Sequence, residues 1–70
     1  MKSRLGPRRA ELEARLVMLR SHHTRLLAEL GAREAAGGHG AAAEIRTHRL
    51  PKIRSRIARI ETALRAGRSQ

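Results

Sequence analysis

The chain has 70 residues, with 16 Lys and Arg against six Glu, no Asp and a formal net charge of +10. It contains no Cys, Phe, Tyr or Trp. A chain this short forms one domain at most, with a small core. The missing cysteines exclude disulfides and cysteine-based zinc sites, and the missing aromatics exclude base-stacking platforms. Because no apolar run approaches the length of a membrane span, we expect a cytoplasmic protein that has no membrane partner. Because the core is so small, we also expect that the protein is not an enzyme and needs no metal or cofactor.

Helix 1 is predicted over about residues 7–36, after a flexible basic segment of residues 1–6. Proline is favoured at the first helical position, which Pro7 would occupy, and Glu11 and Glu13 follow soon after it. The apolar residues recur at alternating steps of three and four, the period of a coiled-coil seam, which excludes strands. The seam positions predicted for helix 1 are Leu12, Leu16, Leu19, His23 and Leu26.

The segment Gly37-Gly38-His39-Gly40 is the only glycine-rich stretch of the chain, and it is predicted to form a bend over residues 37–40. Gly37 is suited to end helix 1 in a left-handed cap, because glycine adopts positive φ without a steric penalty. The bend therefore separates two helical arms.

Helix 2 is predicted over about residues 41–66, where Gly67 would close it before a tail of residues 68–70. Glu44 in its first turn suits the positive end of the helix dipole. Pro51 removes one backbone hydrogen bond and disfavours α geometry at Leu50, so a kink or restart is predicted there. The seam positions predicted for helix 2 are Leu50, Ile53, Ile57, Ile60 and Leu64.

The two seams are in register as an antiparallel pair. Leu12 with Leu64 and Leu26 with Leu50 both have index sums of 76, and half of 76 falls on Gly38 in the bend. These two independent signals predict an all-α fold, an antiparallel two-helix coiled-coil hairpin over residues 7–67. Because one narrow apolar stripe is a small core, dimerisation into a four-helix bundle stays open. The candidates for a second contact face are Val17, Met18 and Leu27.

Positive charge is concentrated toward the two chain ends, which a hairpin brings together. Residues 1–25 carry +5, residues 26–45 carry −2 and residues 46–70 carry +7. The strongly cationic open end predicts an anionic partner, either nucleic acid or an acidic protein surface. The predicted basic contact face lies off the seam of helix 2 and consists of Arg46, Arg49, Lys52, Arg54, Arg56 and Arg59.

Three segments of the two helices follow the pattern of a known bacterial family. Residues 12–21 read L-E-A-R-L-V-M-L-R-S, like L-x-x-E-L-x-x-L-K-S, and residues 26–34 read L-L-A-E-L-G-A-R-E, like I-I-x-x-I-A-E-A-R-E with one residue fewer. Residues 49–60 read R-L-P-K-I-R-S-R-I-A-R-I, like R-L-x-x-I-x-x-R-V-x-x-L. The chain thus resembles the N-terminal coiled-coil domain of the Gre transcript-cleavage factors (GreA and GreB). This resemblance implies a hairpin that binds RNA polymerase in its secondary channel and modulates elongation.

The bend departs from the Gre pattern. The family's tip has the form G-D-x-S-E-N-A-D/E-Y, whereas residues 37–45 read G-G-H-G-A-A-A-E-I. The tip Asp, which in that family helps to hold a catalytic magnesium ion, falls on Gly38, and the neighbouring Glu falls on Ala41. A hard cation needs clustered oxygen ligands, so the resemblance implies a tip without catalytic residues. The predicted tip comprises Gly37, Gly38, His39, Gly40, Ala41 and Glu44.

A second resemblance leads to a different function. Residues 57–64 read I-A-R-I-E-T-A-L, similar to the I-A-R-I-x-T-x-L run of the ribosomal protein L29 family, which is also a basic helical hairpin of about this length. That resemblance implies a structural protein that binds ribosomal RNA. A generic coiled-coil interaction module is the third alternative.

Overall fold

The structure, a computed structural model, describes residues 5–69. Those residues form an antiparallel helical hairpin without strands: α1 spans Leu5–Ala35, α2 spans His39–Glu44, a π-helical turn spans Ile45–Arg49 and α3 spans Leu50–Ser69. The hairpin is a thin rod of 57 × 16 × 13 Å. The predicted all-α hairpin is confirmed.

The helix ends differ from the predicted ones. α1 begins at Leu5, two residues before Pro7. Pro7 is tolerated there because the N–H groups of a first turn have no partner within the helix. At the other end, α3 continues through Gly67 to Ser69, so Gly67 is not a helix terminator. Gly67 lines a groove together with Leu12 of α1. Residues 1–4 of the predicted N-terminal segment and Gln70 of the predicted tail lie outside the described residues.

The bend is shorter than predicted and follows the Schellman pattern. Gly37 has φ +82°, the left-handed conformation expected of it. The Gly38 N–H donates to the Arg33 carbonyl oxygen at 2.8 Å, and the Gly37 N–H donates to that of Glu34 at 3.1 Å. These two bonds satisfy carbonyl groups that the end of α1 would otherwise leave without partners. α2 then begins at His39 rather than residue 41.

Pro51 is accommodated without a break in the helical arm. Near Pro51, where a kink or restart was predicted, a π-helical turn over Ile45–Arg49 precedes α3, and Leu50 itself keeps α geometry with φ −64° and ψ −47°. Its N–H instead donates to the carbonyl oxygen of Ile45, five residues earlier, which is the hydrogen bond of a π-helical turn. A proline ring collides with the carbonyl four residues before it, and a widened turn relieves that contact.

The core is the apolar stripe along which α1 meets the second arm, the part of the hairpin that consists of α2, the π-helical turn and α3. Its most buried cluster contains Leu26, Ile45, Leu50 and Ile53, with Leu30 packed against it. All ten predicted seam residues are buried or partly buried. Five of those ten seam residues fall in the most buried class, namely Leu16, Leu26, Leu50, Ile53 and Ile60. Ala42 and Ile45 are equally buried but lie outside the predicted seam.

The apolar residues suggested for a second contact face do not share one face. Val17, Met18 and Leu27 are exposed. Met18 and Leu27 are nine residues apart, so at about 100° per residue they lie on opposite sides of α1. The three therefore do not lie along one narrow stripe of α1. None of the described helices combines the length and the apolar character that crossing a membrane requires.

Candidate nucleic-acid interface

One edge of the hairpin carries a groove between α1 and α3 whose walls are basic. It consists of two adjoining depressions that share Arg56. We call it the cationic groove, and its basic residues are Arg15, His22, Arg49, Lys52, Arg56 and Arg59. Its floor is formed by seam residues, namely Leu19, Leu26, Ile53 and Ile60.

Helical periodicity explains why these cations lie together. Arg49, Lys52, Arg56 and Arg59 are spaced by three, four and three residues, so they share one side of the second arm. Arg15 and His22 are seven residues apart, two turns of α1, and line the facing wall. The apolar seams of both helices hold these two rows beside each other.

The charge of the cationic groove is largely uncompensated. Among the described residues, Arg15, Lys52, Arg56 and Arg59 form no ion pair, whereas Arg49 lies 3.8 Å from the Glu29 carboxylate. Side chains of these types hold their positive charge at neutral pH. The groove therefore presents a row of cations to an external anion.

The opposite edge of the hairpin has a mixed charge. There, Arg20 donates to the Glu61 carboxylate at 2.7 Å, and both residues line a depression with Leu16, Leu64 and Arg65. Arg65 lies nine residues after Arg56, so the two side chains leave α3 in directions about 180° apart. The two edges thus differ in electrostatic character, and a polyanion would be attracted to the cationic groove.

The predicted basic contact face is divided by the structure. Four of its six members lie in the cationic groove. Arg46 instead pairs with Glu34 at 2.6 Å near the tip. Arg54 lies two residues from Arg56, about 200° around the helix, and its Nε donates to Nε2 of His23 at 3.4 Å. The idea that all six form one face is therefore wrong, because an α-helix distributes such spacings over several sides.

Arg15 and His22 of α1 were missed by the sequence analysis as parts of the interface. The sequence pattern that indicates them is that Arg15 and His22 are seven residues apart, as are the seam residues Leu19 and Leu26 that they flank. Seven residues are two turns of a coiled-coil helix, so both flank the seam on the same side. A search of both arms for basic residues at this spacing would have found the facing wall.

Arginines close to the tip are engaged by carboxylates. Glu29 accepts from Arg33 at 3.2 Å as well as lying near Arg49, and Glu34 accepts from Arg46. These side chains are about half exposed, so each pair stabilises the fold only slightly. The tip end consequently carries less uncompensated charge than the middle of the rod.

The predicted tip residues surround the bend but do not make a metal site. His39, Gly40 and Glu44 are exposed, Ala41 is partly buried, and Ala42 is 1% exposed. No group of three or more His, Cys or acidic side chains that could hold a metal ion occurs in the described part of the chain. With Gly38 and Ala41 at the positions matched to the Gre acids, the tip offers no cluster of oxygen ligands for a magnesium ion.

Comparisons of this chain with models of protein families, with curated protein sequences and with solved structures find no match.

Proposed function

We propose that this protein is a non-catalytic hairpin that binds nucleic acid through its cationic groove. The observation that carries the proposal is the alignment of Arg15, Lys52, Arg56 and Arg59 along one edge without ion pairs in the described part of the chain. Polyanions are attracted to such a row by Coulomb forces and by the release of their bound counterions.

The composition supports contacts to phosphates rather than to bases. Arginine and lysine together supply 16 of the 70 residues, and no aromatic ring is available to stack on a base. Phosphate contacts from Arg and Lys provide affinity without reading the sequence. The resemblance to the ribosomal hairpin family agrees with this function, which would place the protein on structured RNA.

A binding assay with matched variants tests the proposal. Fluorescence anisotropy of labelled nucleic acid is measured with the wild type, with the groove variant Arg56→Gln/Arg59→Gln and with the control variant Arg54→Gln/Arg65→Gln. Both variants remove two positive charges from exposed positions of α3, on different sides. We expect the groove variant to bind at least tenfold more weakly and the control to stay within about threefold of the wild type.

An acidic protein surface is the competing partner for the same groove. Labelled polyglutamate of similar charge is therefore titrated in parallel. Weak or absent binding to nucleic acid together with tight binding to polyglutamate contradicts the proposal. Equal losses in the two variants also contradict it, because they would show that net charge acts without any role for the groove.

A second candidate function is supported by the shape of the hairpin together with its Gre-like segments. A rod of 57 × 16 × 13 Å has the slender form that entry into a polymerase channel requires. In this hypothesis the hairpin occupies the secondary channel of RNA polymerase and competes with active cleavage factors. The absence of an acid cluster at the described tip supports a silent or inhibitory role.

Restoring the family's tip acids tests this second candidate. The variant Gly38→Asp/Ala41→Glu places two carboxylates at the bend, and a transcript-cleavage assay compares it with the wild type. We expect the wild type to bind core polymerase and inhibit cleavage, and the variant to gain magnesium-dependent cleavage. Failure of the wild type to bind core polymerase in a pull-down contradicts this function. A variant that binds and remains silent shows that the tip does not reach the active site.

A further inference from the structure

We infer that the ligand of the cationic groove is double-stranded nucleic acid, contacted along one phosphate strand and independently of base sequence. This inference rests on the proposed function and specifies the class of nucleic acid. Three properties of the groove support it, namely the spacing of its cations, its rigidity and its position between two helices.

The cations are spaced to follow the phosphates of a regular duplex. Arg49 and Arg59 are ten residues apart, about 15 Å along a helix that rises 1.5 Å per residue. Successive phosphates of one strand advance about 3.4 Å along the duplex axis and about a tenth of a turn around it, so a straight row of this length laid along the strand meets about three phosphates. The second arm supplies four cations over that distance, with Lys52 and Arg56 between the two ends.

The row of cations is held straight before any ligand binds. Three of the four belong to α3, a helix of 20 residues whose Ile53 and Ile60 are buried against α1. A rigid backbone suits a rigid duplex, because the entropy lost when they associate is confined to the Lys and Arg side chains. Single-strand binders instead gain affinity by stacking bases on aromatic rings, and this chain has none.

The position of the cationic groove prevents access to base edges. Its cations line the junction of two helices rather than the crest of one. The rod is 16 × 13 Å across its Cα atoms, which is wider than the roughly 12 Å major groove of B-form DNA even before side chains are added. The hairpin therefore lies along one strand of the backbone, where contacts from Arg and Lys to phosphates carry no sequence information.

The test compares duplex and single-stranded ligands at matched length and salt. The wild type is titrated against a 20-bp DNA duplex, a 20-bp RNA duplex and an unstructured 20-nucleotide oligo-dT, each over a range of NaCl concentrations. We expect at least tenfold tighter binding to a duplex than to oligo-dT. Two duplexes of unrelated sequence should bind within about twofold of each other.

The salt dependence reports the number of phosphates contacted. With about three phosphates contacted, log K against log salt should have a slope of about −3 on duplex DNA, since each contact contributes about 0.9. Arg56→Gln/Arg59→Gln should reduce the slope to about −1, and Arg54→Gln/Arg65→Gln should leave it unchanged. Far-UV circular dichroism verifies that both variants keep the helical content of the wild type, as expected for exposed positions.

The outcomes separate this inference from the function on which it rests. Binding of oligo-dT as tightly as the duplexes overturns the duplex inference and leaves nucleic-acid binding intact. Binding of polyglutamate but of no nucleic acid overturns both. A duplex preference for either RNA or DNA supports the inference and identifies which duplex is the ligand. A slope that is the same in the groove variant and the wild type overturns the assignment of the contacts to the cationic groove.

Discussion

Ile45 and Leu50 are five residues apart, yet both are buried in the same cluster against Leu26 of α1. In a regular α-helix, five residues turn through about 500°, so the two side chains would diverge by about 140°. The π-helical turn over Ile45–Arg49 contains one residue more than an α-turn and brings them back to one side. The seam of the second arm thus continues past Leu50 to the bend.

The first prediction concerns the extra residue of this turn. Deleting exposed His48 and replacing Pro51 by Ala leaves a four-residue step from Ile45 to Leu50, so the whole seam fits a regular α-helix. We expect this variant to keep the helical content of the wild type, with a melting temperature equal to it or higher. Thermal denaturation followed by far-UV circular dichroism measures both.

Deletion of Ser55 is the matched control, because it also removes one exposed residue from the second arm. It rotates Leu50 and Ile53 by about 100° relative to Ile57 and Ile60, so half of the seam leaves the core. We expect loss of cooperative melting. If the two deletions destabilise the hairpin equally, the π-helical turn is not the device that keeps the seam in phase.

The second prediction addresses the core near the bend. Ile45 is 2% exposed, whereas Val17 is 66% exposed on α1. Ile45→Ala should lower the free energy of unfolding by about 3 kcal/mol, because it removes buried carbons and leaves a cavity. Val17→Ala should change it by less than about 0.5 kcal/mol. Chemical denaturation of both variants measures the difference, and equal effects would place Ile45 outside the core.

The hairpin could be predicted from the sequence because two signals agreed on it: the three-four spacing of the apolar residues and the glycine-rich bend. Ile45 was missed because its five-residue distance from Leu50 breaks that spacing. The polar contacts between the arms join residues whose index sums run from 77 for His23 and Arg54 to 81 for Arg20 and Glu61, slightly above the predicted 76. Long side chains reach along the rod, so they do not report the register as directly as the seam does.

The candidate site was less predictable than the fold. The basic residues of helix 2 were evident, but their division between two edges depends on where each lies around the helix. Arg46 and Arg49 also belong to the π-helical turn, where Arg46 donates to Glu34 and Arg49 forms a longer ion pair with Glu29. The facing wall, Arg15 in particular, becomes recognisable only when both arms are placed side by side.

The third prediction concerns the single polar residue of the seam. His23 is partly buried, and its hydrogen bond from Arg54 is long at 3.4 Å. His23→Leu should raise the free energy of unfolding by about 1 kcal/mol, because apolar burial gains more than this weak bond contributes. His22→Leu, at the exposed neighbouring position, serves as the control and should give no increase. A fall in stability for His23→Leu would show that the polar contact outweighs the apolar gain.

The last prediction distinguishes two adjacent glycines of the bend. Gly37 has φ +82°, where a Cβ is strained whatever space surrounds it, so Gly37→Ala should lower the free energy of unfolding by about 1–2 kcal/mol.

Gly38 has φ −84° and ψ 69°, and the His39 N–H donates to the Gly37 carbonyl oxygen at 3.0 Å across it. This is an inverse γ-turn, which any L-residue adopts, and a Cβ there would lie 3.4 Å from the Arg33 carbonyl oxygen, an ordinary contact distance. Gly38→Ala should therefore change stability by less than about 0.5 kcal/mol. Melting curves of both variants check the difference, and a larger loss for Gly38→Ala than for Gly37→Ala would contradict the assignment of the cap. The same geometry makes Gly38 the bend position at which an Asp can be introduced without unfolding the hairpin.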